Sequence, residues 1–327
     1  MKFGVSVYDV TPSEVVEIAV AAEAAGFDSL WLGEHLLLAA GYAAVHPTRD
    51  EATERGAPVV SAGTRLSDPL VALAAAAART ERIHLATGIY LVNLRHPLVT
   101  ARAAVTLQDL AGGRFILGVG AGWLREEFDA LDISFDGRGR RLEESLHILR
   151  RAWAGGLFDH DGERFHFQPV QVTETAVHVP LVLGGNTPPA LRRAARCGDG
   201  WFSSANPSLP EAVALRDELA RWRHELADDR PLATYVRVAD PVPADVGRYA
   251  NEGFEHLVFW AHELCPPGPE RWAAIGSAAR ALGVTPPTST GPPLAGDGLV
   301  RQQDPVRQQD PVRQDATAHS PPGAKGS

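Results

Sequence analysis

RFILGVGAGWLREEF, residues 114–128, is an apolar run that breaks into glycine at every second position, Gly118, Gly120 and Gly122. Such a run suits a buried strand whose end must let something approach its backbone. A dinucleotide-binding turn reads G-x-G-x-x-G, follows the first strand of its unit and opens straight into a helix. Here the spacing is G-x-G-x-G, Trp123 stands in place of a helix-packing glycine, and three strand-like runs come first. A phosphate-binding P-loop is excluded as well, because Lys2 and Lys325 are the only lysines.

The same alternation extends in both directions. Upstream lie FGVSV (3–7), a helix pattern from Pro12 that Gly26 closes, SLWLG (29–33), a helix opened by Asp68 and Pro69, and IHLATGIYL (83–91). Downstream of a helix at 141–154 come VPLVLGG (179–185), DGWFSS (199–204), TYVRVA (234–239) and HLVFWA (256–261), each followed by a helical period. Strands this apolar, each trailed by a helix, form a parallel sheet covered on both faces. Eight such units by Leu282 predict an α/β fold of the (β/α)8 TIM-barrel type, and the count disfavours an open doubly wound sheet. The barrel is expected over residues 1–284. Residues 285–327 repeat VRQQDP twice from Val300 and are expected to be a disordered low-complexity tail.

Composition narrows the class. The chain has 327 residues, 45% of them apolar, which is ample for a large core. Its formal net charge of −9 and the lack of a basic cluster argue against nucleic acid as a partner. No apolar stretch is long enough to span a bilayer, so no membrane association is expected. Cys197 and Cys265 form neither a disulfide framework nor a metal-ligand spacing, which suits a reducing cytoplasm and leaves no metal expected. The segment 36–67 after the second strand is long, polar and rich in Gly and Pro, and is a candidate lid.

Several motifs in order then carry a resemblance. AEAAGFDSLWLGEH, DPLVALAAAAARTERIHLATG, LRHPLVTARAAVTLQDLAGGR, GGRFILGVGAGWLREEF, the segment FDGRGRRLEES and PLVLGGNTPPALRRAARCGDGW are similar to the luciferase-like monooxygenase superfamily. The branch they most resemble is that of F420-dependent oxidoreductases. The resemblance covers roughly residues 1–282 in barrel order. It implies a cofactor, coenzyme F420 or alternatively FMN, at the C-terminal mouth of the barrel. It also implies hydride transfer to or from a small-molecule organic substrate, and a homodimer. An FMNH2-dependent monooxygenase and a non-catalytic, cofactor-free barrel subunit are the alternatives the superfamily offers.

Residue by residue, the resemblance makes His35 the catalytic group, since imidazole handles protons near neutrality. Glu34 precedes it and, on an ideal strand, faces the other way. Thr87 and Gly88 would back the cofactor ring, Gly120 and Gly122 would let it lie against the fourth strand, and Gly184, Gly185 and Asn186 would hold its phosphate before a helix N-terminus. Trp123, Asn93 and Trp260 are the candidate substrate contacts. Some sugar-phosphate dehydrogenases of the superfamily carry a glutamate where Trp123 falls, which argues against a sugar phosphate here. Glu126 and Glu127 read as acids favoured by a helix dipole. Asp199, Gly200 and Trp201 read as structural, and Arg138 with Glu143 as an ion pair tying a loop to its helix.

Overall fold

The structure is a computed structural model that describes residues 1–41, 60–239, 241–265 and 271–286. Its strands are β1 (Lys2–Val7), β2 (Ser29–Leu32), β3 (His84–Thr87), β4 (Phe115–Val119), β5 (Leu157–Asp161), β6 (His166–Gln171), β7 (Leu181–Gly184), β8 (Gly200–Phe202), β9 (Ala233–Val238) and β10 (His256–Trp260). Eight of them close a parallel barrel in the order β1-β10-β9-β8-β7-β4-β3-β2. The fold is the (β/α)8 TIM barrel, and the barrel strands fall on the apolar runs read from sequence. The tail from Pro287 onward and the lid sequence HPTRDEATERG (46–56) lie outside the described residues.

The helices are α1 (Pro12–Ala25), α2 (Pro69–Ala77), α3 (Pro97–Leu110), α4 (Arg125–Asp129), α5 (Arg138–Trp153), α6 (Pro188–Cys197), α7 (Leu209–Glu225), α8 (Pro243–Asn251), α9 (Ala261–Leu264) and α10 (Ile275–Ala281). Local chemistry sets their ends. Thr11 and Glu14 form a reciprocal capping box on α1, and Gly26 ends it in the left-handed region. Asp68 accepts from the backbone amides of Leu70 and Val71 at the start of α2. The described end of the segment after β2 is tied down by Arg65, which pairs with Asp9 and Glu14.

One element has no counterpart in the sequence reading. Between α5 and β7, strands β5 and β6 pair antiparallel as a hairpin outside the barrel. Its signal was present as alternating aromatics around Asp161-Gly162, a turn-forming pair.

Inside the barrel, inward residues from seven of the strands meet on the axis. Trp31, Ala86, Ile116, Val182, Phe202, Tyr235 and Val258 form this inner cluster. Trp31 stacks on Phe202 at 4.6 Å between centroids and leans on Tyr235 at 4.6 Å. Each such aromatic contact adds about 0.5–1.5 kcal/mol beyond area burial. Bulk on the axis makes the barrel a packed core with its working face at the strand C-termini.

Candidate active site

At the end of β2 the chain carries two acid–base side chains into buried positions. His35 Nδ1 lies 3.1 Å from Glu127 Oε2, and both side chains are buried. Glu127 comes from α4, and its other oxygen accepts the backbone N–H of Leu36 at 2.7 Å. The carboxylate therefore fixes the imidazole ring and the loop that follows it. Rings of Tyr8 and Trp123 meet His35 edge-on, at 6.2 and 5.6 Å between centroids, and shield it from water. Trp123 thus stands beside His35, at the mouth.

Glu34 is buried too, because the strand has ended and strict alternation no longer holds. Its Oε1 accepts from Arg95 Nη2 at 2.6 Å and its Oε2 from the Leu91 amide at 2.6 Å. Burial pushes the Glu34 carboxyl up, against the pull of Arg95. Arg95 also lies over the Tyr90 ring, 4.4 Å from its centroid. This pair braces the loop after β3 against the loop after β2.

The glycines at the mouth have a neighbour that sequence did not reveal. The Gly88–Ile89 peptide is cis. A Cβ at Gly120 would sit 2.6 Å from Ile89 Cδ1, and one at Gly184 would sit 2.8 Å from Ile89 Cγ2. Both glycines are therefore needed by the Ile89 side chain, which fills the space above them. The shelf at the ends of β3, β4 and β7 is Ile89 laid over glycine backbone, apolar and half-buried. A flat ring system fits such a shelf.

Two polar side chains have partners other than those expected. Thr87 is fully buried and its hydroxyl donates to the Gly118 carbonyl at 2.7 Å, so it stitches β3 to β4 and does not present its hydroxyl to a ring edge. Asn93 is also fully buried; its amide donates to the carbonyls of Ala121 and Arg138 at 3.0 and 2.9 Å. It ties two loops together below the surface, where a substrate contact was expected. Gly122 turns over the Phe128 ring, and its carbonyl accepts from Arg138 Nε at 3.0 Å.

Gly185 lies at φ +122° at the turn after β7. Its carbonyl accepts from Trp201 Nε1 at 2.8 Å, while the Asn186 side chain exchanges two hydrogen bonds with the Ser204 backbone. The expected helix-end anion site is weaker than sequence suggested. Pro188 and Pro189 bring no N–H, and the amides of Ala190 and Leu191 both bond to the Thr187 carbonyl. Only the loop ahead of α6 has amides to offer. Positive charge is close by: Gly139, at the start of α5, sits against the guanidinium of Arg193 from α6. Burial, then the fields of Arg125 and Arg193, hold Arg138 below the usual arginine range.

Arg138 and Glu143 do not pair with each other. Five residues apart on a helix, they point to different sides. Arg138 lies over the Phe135 ring, and Glu143 pairs with Arg193 and Arg196. Asp199 behaves as a base-of-barrel brace: one oxygen accepts from the Leu181 amide at 2.8 Å and from Arg150 at 2.7 Å.

The closed parallel barrel that carries this mouth agrees with what comparison finds. The luciferase-like monooxygenase family model matches residues 2–274. The chain belongs to that family. It is 30% identical over 254 residues to the uncharacterized protein Rv0953c of Mycobacterium tuberculosis, covering 76% of this chain and 86% of the relative. It is 32% identical over 216 residues to the F420-dependent glucose-6-phosphate dehydrogenase of Nakamurella multipartita, covering 63% and 58%. Among solved structures, the coenzyme F420 dependent tetrahydromethanopterin reductase of Methanopyrus kandleri superposes with a TM-score of 0.65 at 16% identity, over 86% of this chain and 98% of that one. The family is one of oxidoreductases and monooxygenases, and membership in it supports an enzyme.

The sequence reading passed over one further residue at the mouth. Arg237 ends the inward column Ala233, Tyr235, Arg237 of β9 and is buried. Its guanidinium carbon lies 4.1 Å from the Trp260 ring centroid and 4.7 Å from that of Phe202. Its Nη2 donates to Ser6 Oγ at 3.1 Å, and its backbone N–H donates to Ser203 Oγ at 2.8 Å. Burial pulls Arg237 down to about 9, with Glu263 acting the other way, so it stays charged at neutral pH. Trp260 is half-buried above it and donates its indole N–H to Asn206 at 3.0 Å.

Among the described residues, no helix is long and apolar enough to cross a membrane.

Proposed function

We propose that the protein is an F420-dependent oxidoreductase that transfers a hydride between the cofactor and a small organic substrate at the barrel mouth. The observation that carries this reading is the buried His35–Glu127 pair, set on the strand end next to the Ile89 shelf. The 32% identity to an F420-dependent enzyme supports F420 over FMN. F420, when bound, supplies a carbon centre that takes or gives hydride and reacts poorly with oxygen.

The protein's own residues do the rest. Ile89, backed by Gly120 and Gly184, gives the ring a flat apolar wall. Loop amides after β7 and the arginines flanking the starts of α5 and α6 would hold the acidic tail. Tyr8 and Trp123 exclude water around the reacting groups. His35, oriented through Nδ1 by Glu127, holds or moves a proton at Nε2. Glu127 stabilises the imidazolium when it forms, as the acid partner of a catalytic histidine does.

Titration of the purified protein with F420 and separately with FMN, followed by fluorescence, tests the reading. Saturable F420 binding with FMN at least tenfold weaker is the expected result. Binding of neither would remove the enzyme reading, and binding of FMN alone would move it to oxygenation.

A further inference from the structure

We propose that Arg237 anchors the substrate through a carboxylate, so that the protein acts on small organic acids whose anionic group docks on the guanidinium between Trp260 and Phe202. The inference rests on the oxidoreductase reading only for calling the bound acid a substrate.

The first ground is an unmet hydrogen-bonding capacity. Arg237 is 6% exposed, and its Nε has no hydrogen-bond partner among the described residues. A guanidinium presents five N–H groups in a fixed fork, and a buried charge without matching acceptors costs free energy. A serine hydroxyl and two aromatic faces satisfy only part of that demand. Glu263 lends its field from α9, the short helix after β10. A carboxylate would meet the fork with two parallel hydrogen bonds, the geometry arginine favours.

The second ground is position. In the order of the closed barrel, β9 lies directly across from β3, the strand that leads into Gly88 and Ile89. The Phe202 ring spans the axis between them: it would stand 3.7 Å from a Cβ at Gly88 and lies under Arg237. A ring on the Ile89 shelf and an acid on Arg237 would therefore occupy opposite sides of one mouth, with aromatic floor between them. Arg237 is then a recognition group distinct from the residues assigned to the cofactor.

The competing explanation is a purely structural role, with Arg237 as a stacked plug stabilised by its two aromatic faces. The two roles part under one experiment on the full-length protein. Benzoate and its neutral isostere benzamide are titrated by calorimetry and tryptophan fluorescence into wild type, Arg237→Gln and Arg237→Lys, with melting temperature recorded for each. Expected is at least a tenfold preference for benzoate in wild type, abolished in Arg237→Gln and reduced several-fold in Arg237→Lys. Equal binding of the two probes, no benzoate binding, or unchanged benzoate affinity in Arg237→Gln would overturn the proposal. Should Arg237→Gln fail to fold, Arg237→Lys decides, and undiminished benzoate affinity there overturns it. A parallel F420 titration separates the two readings. Loss of F420 binding with the benzoate preference intact removes the oxidoreductase reading and leaves the anion site standing.

Discussion

The barrel places histidines at both ends, buried at the mouth and half-buried at the base, and it treats them in opposite ways. At the mouth, His35 is held by the Glu127 carboxylate at 3.1 Å, a partner able to support a positive ring. At the base, His256 packs against Tyr235 and is pushed down to about 4 by burial, with the charges of Lys2 and the N-terminus adding to the effect. His84, beside it, is lowered for the same first reason, with only partial relief from Asp28. One end gives its histidine a carboxylate partner, and at the other burial favours the neutral ring. That contrast assigns chemistry to the mouth and stability to the base, in line with the division of labour in this fold.

The contrast can be broken or sharpened by substitution. The largest effect is expected at the mouth: His35→Ala should lower turnover with F420 by about 10²–10⁴-fold, the usual range for a proton-transfer group. F420 affinity should stay within about threefold, read by fluorescence titration. A parallel loss of affinity would make His35 a binding or folding residue. At the base, Asp199→Ala removes a carboxylate bonded to Leu181 and Arg150. It should cost about 2 kcal/mol, as charged hydrogen bonds do. For a barrel of this size that lowers Tm by about 4–8 °C, with F420 affinity untouched. Lower F420 affinity at unchanged Tm would put Asp199 on the wrong side of the comparison.

Smaller again is Gly184→Ala. Its new methyl would meet Ile89 Cγ2 at 2.8 Å and push the shelf residue aside. F420 affinity should fall about fivefold with only a small loss of Tm. The smallest effect concerns acid. The folded-state pKa of His256 lies below its free value of 6.5, so the unfolded chain takes up the proton first. Stability from this source is complete above pH 6.5 and is lost as pH falls toward about 4. His84 acts in the same sense, whereas Asp28, raised by burial, acts in the opposite one. His256→Gln should flatten urea-measured stability across that window, and an unchanged slope would show that His256 is not the group responsible.

The barrel was legible because fully buried parallel strands leave a simple trace: short apolar runs, each cut off by glycine or a polar turn and followed by a capped helix. The β5–β6 hairpin was missed because its alternation is short and mixed with histidine and acid. Within the site, legibility followed the range of the interaction. His35 stood in a motif, but Glu127 is 92 residues away, and an acid in a first helical turn looks the same whether it serves the helix dipole or a histidine. Thr87 and Asn93 were assigned outward roles because sequence does not show which backbone carbonyls their hydrogen bonds will reach. For Arg237 a signal did exist. In TYVRV, Tyr235 and Arg237 share a face by simple alternation, so one inward aromatic implies an inward cation. The glycines read from sequence as places where a cofactor approaches, and in the structure it is Ile89 that lies against Gly120 and Gly184.

The central claim, that the mouth is the reaction centre and the Ile89 shelf its cofactor wall, is tested most directly by a crystal structure of the F420 complex. The account expects the deazaflavin ring in van der Waals contact with the Ile89 side chain, with His35 still paired to Glu127 at the same mouth. A ring seated away from Ile89, for instance in the external groove lined by Val20, Ala24 and Trp272, would contradict it.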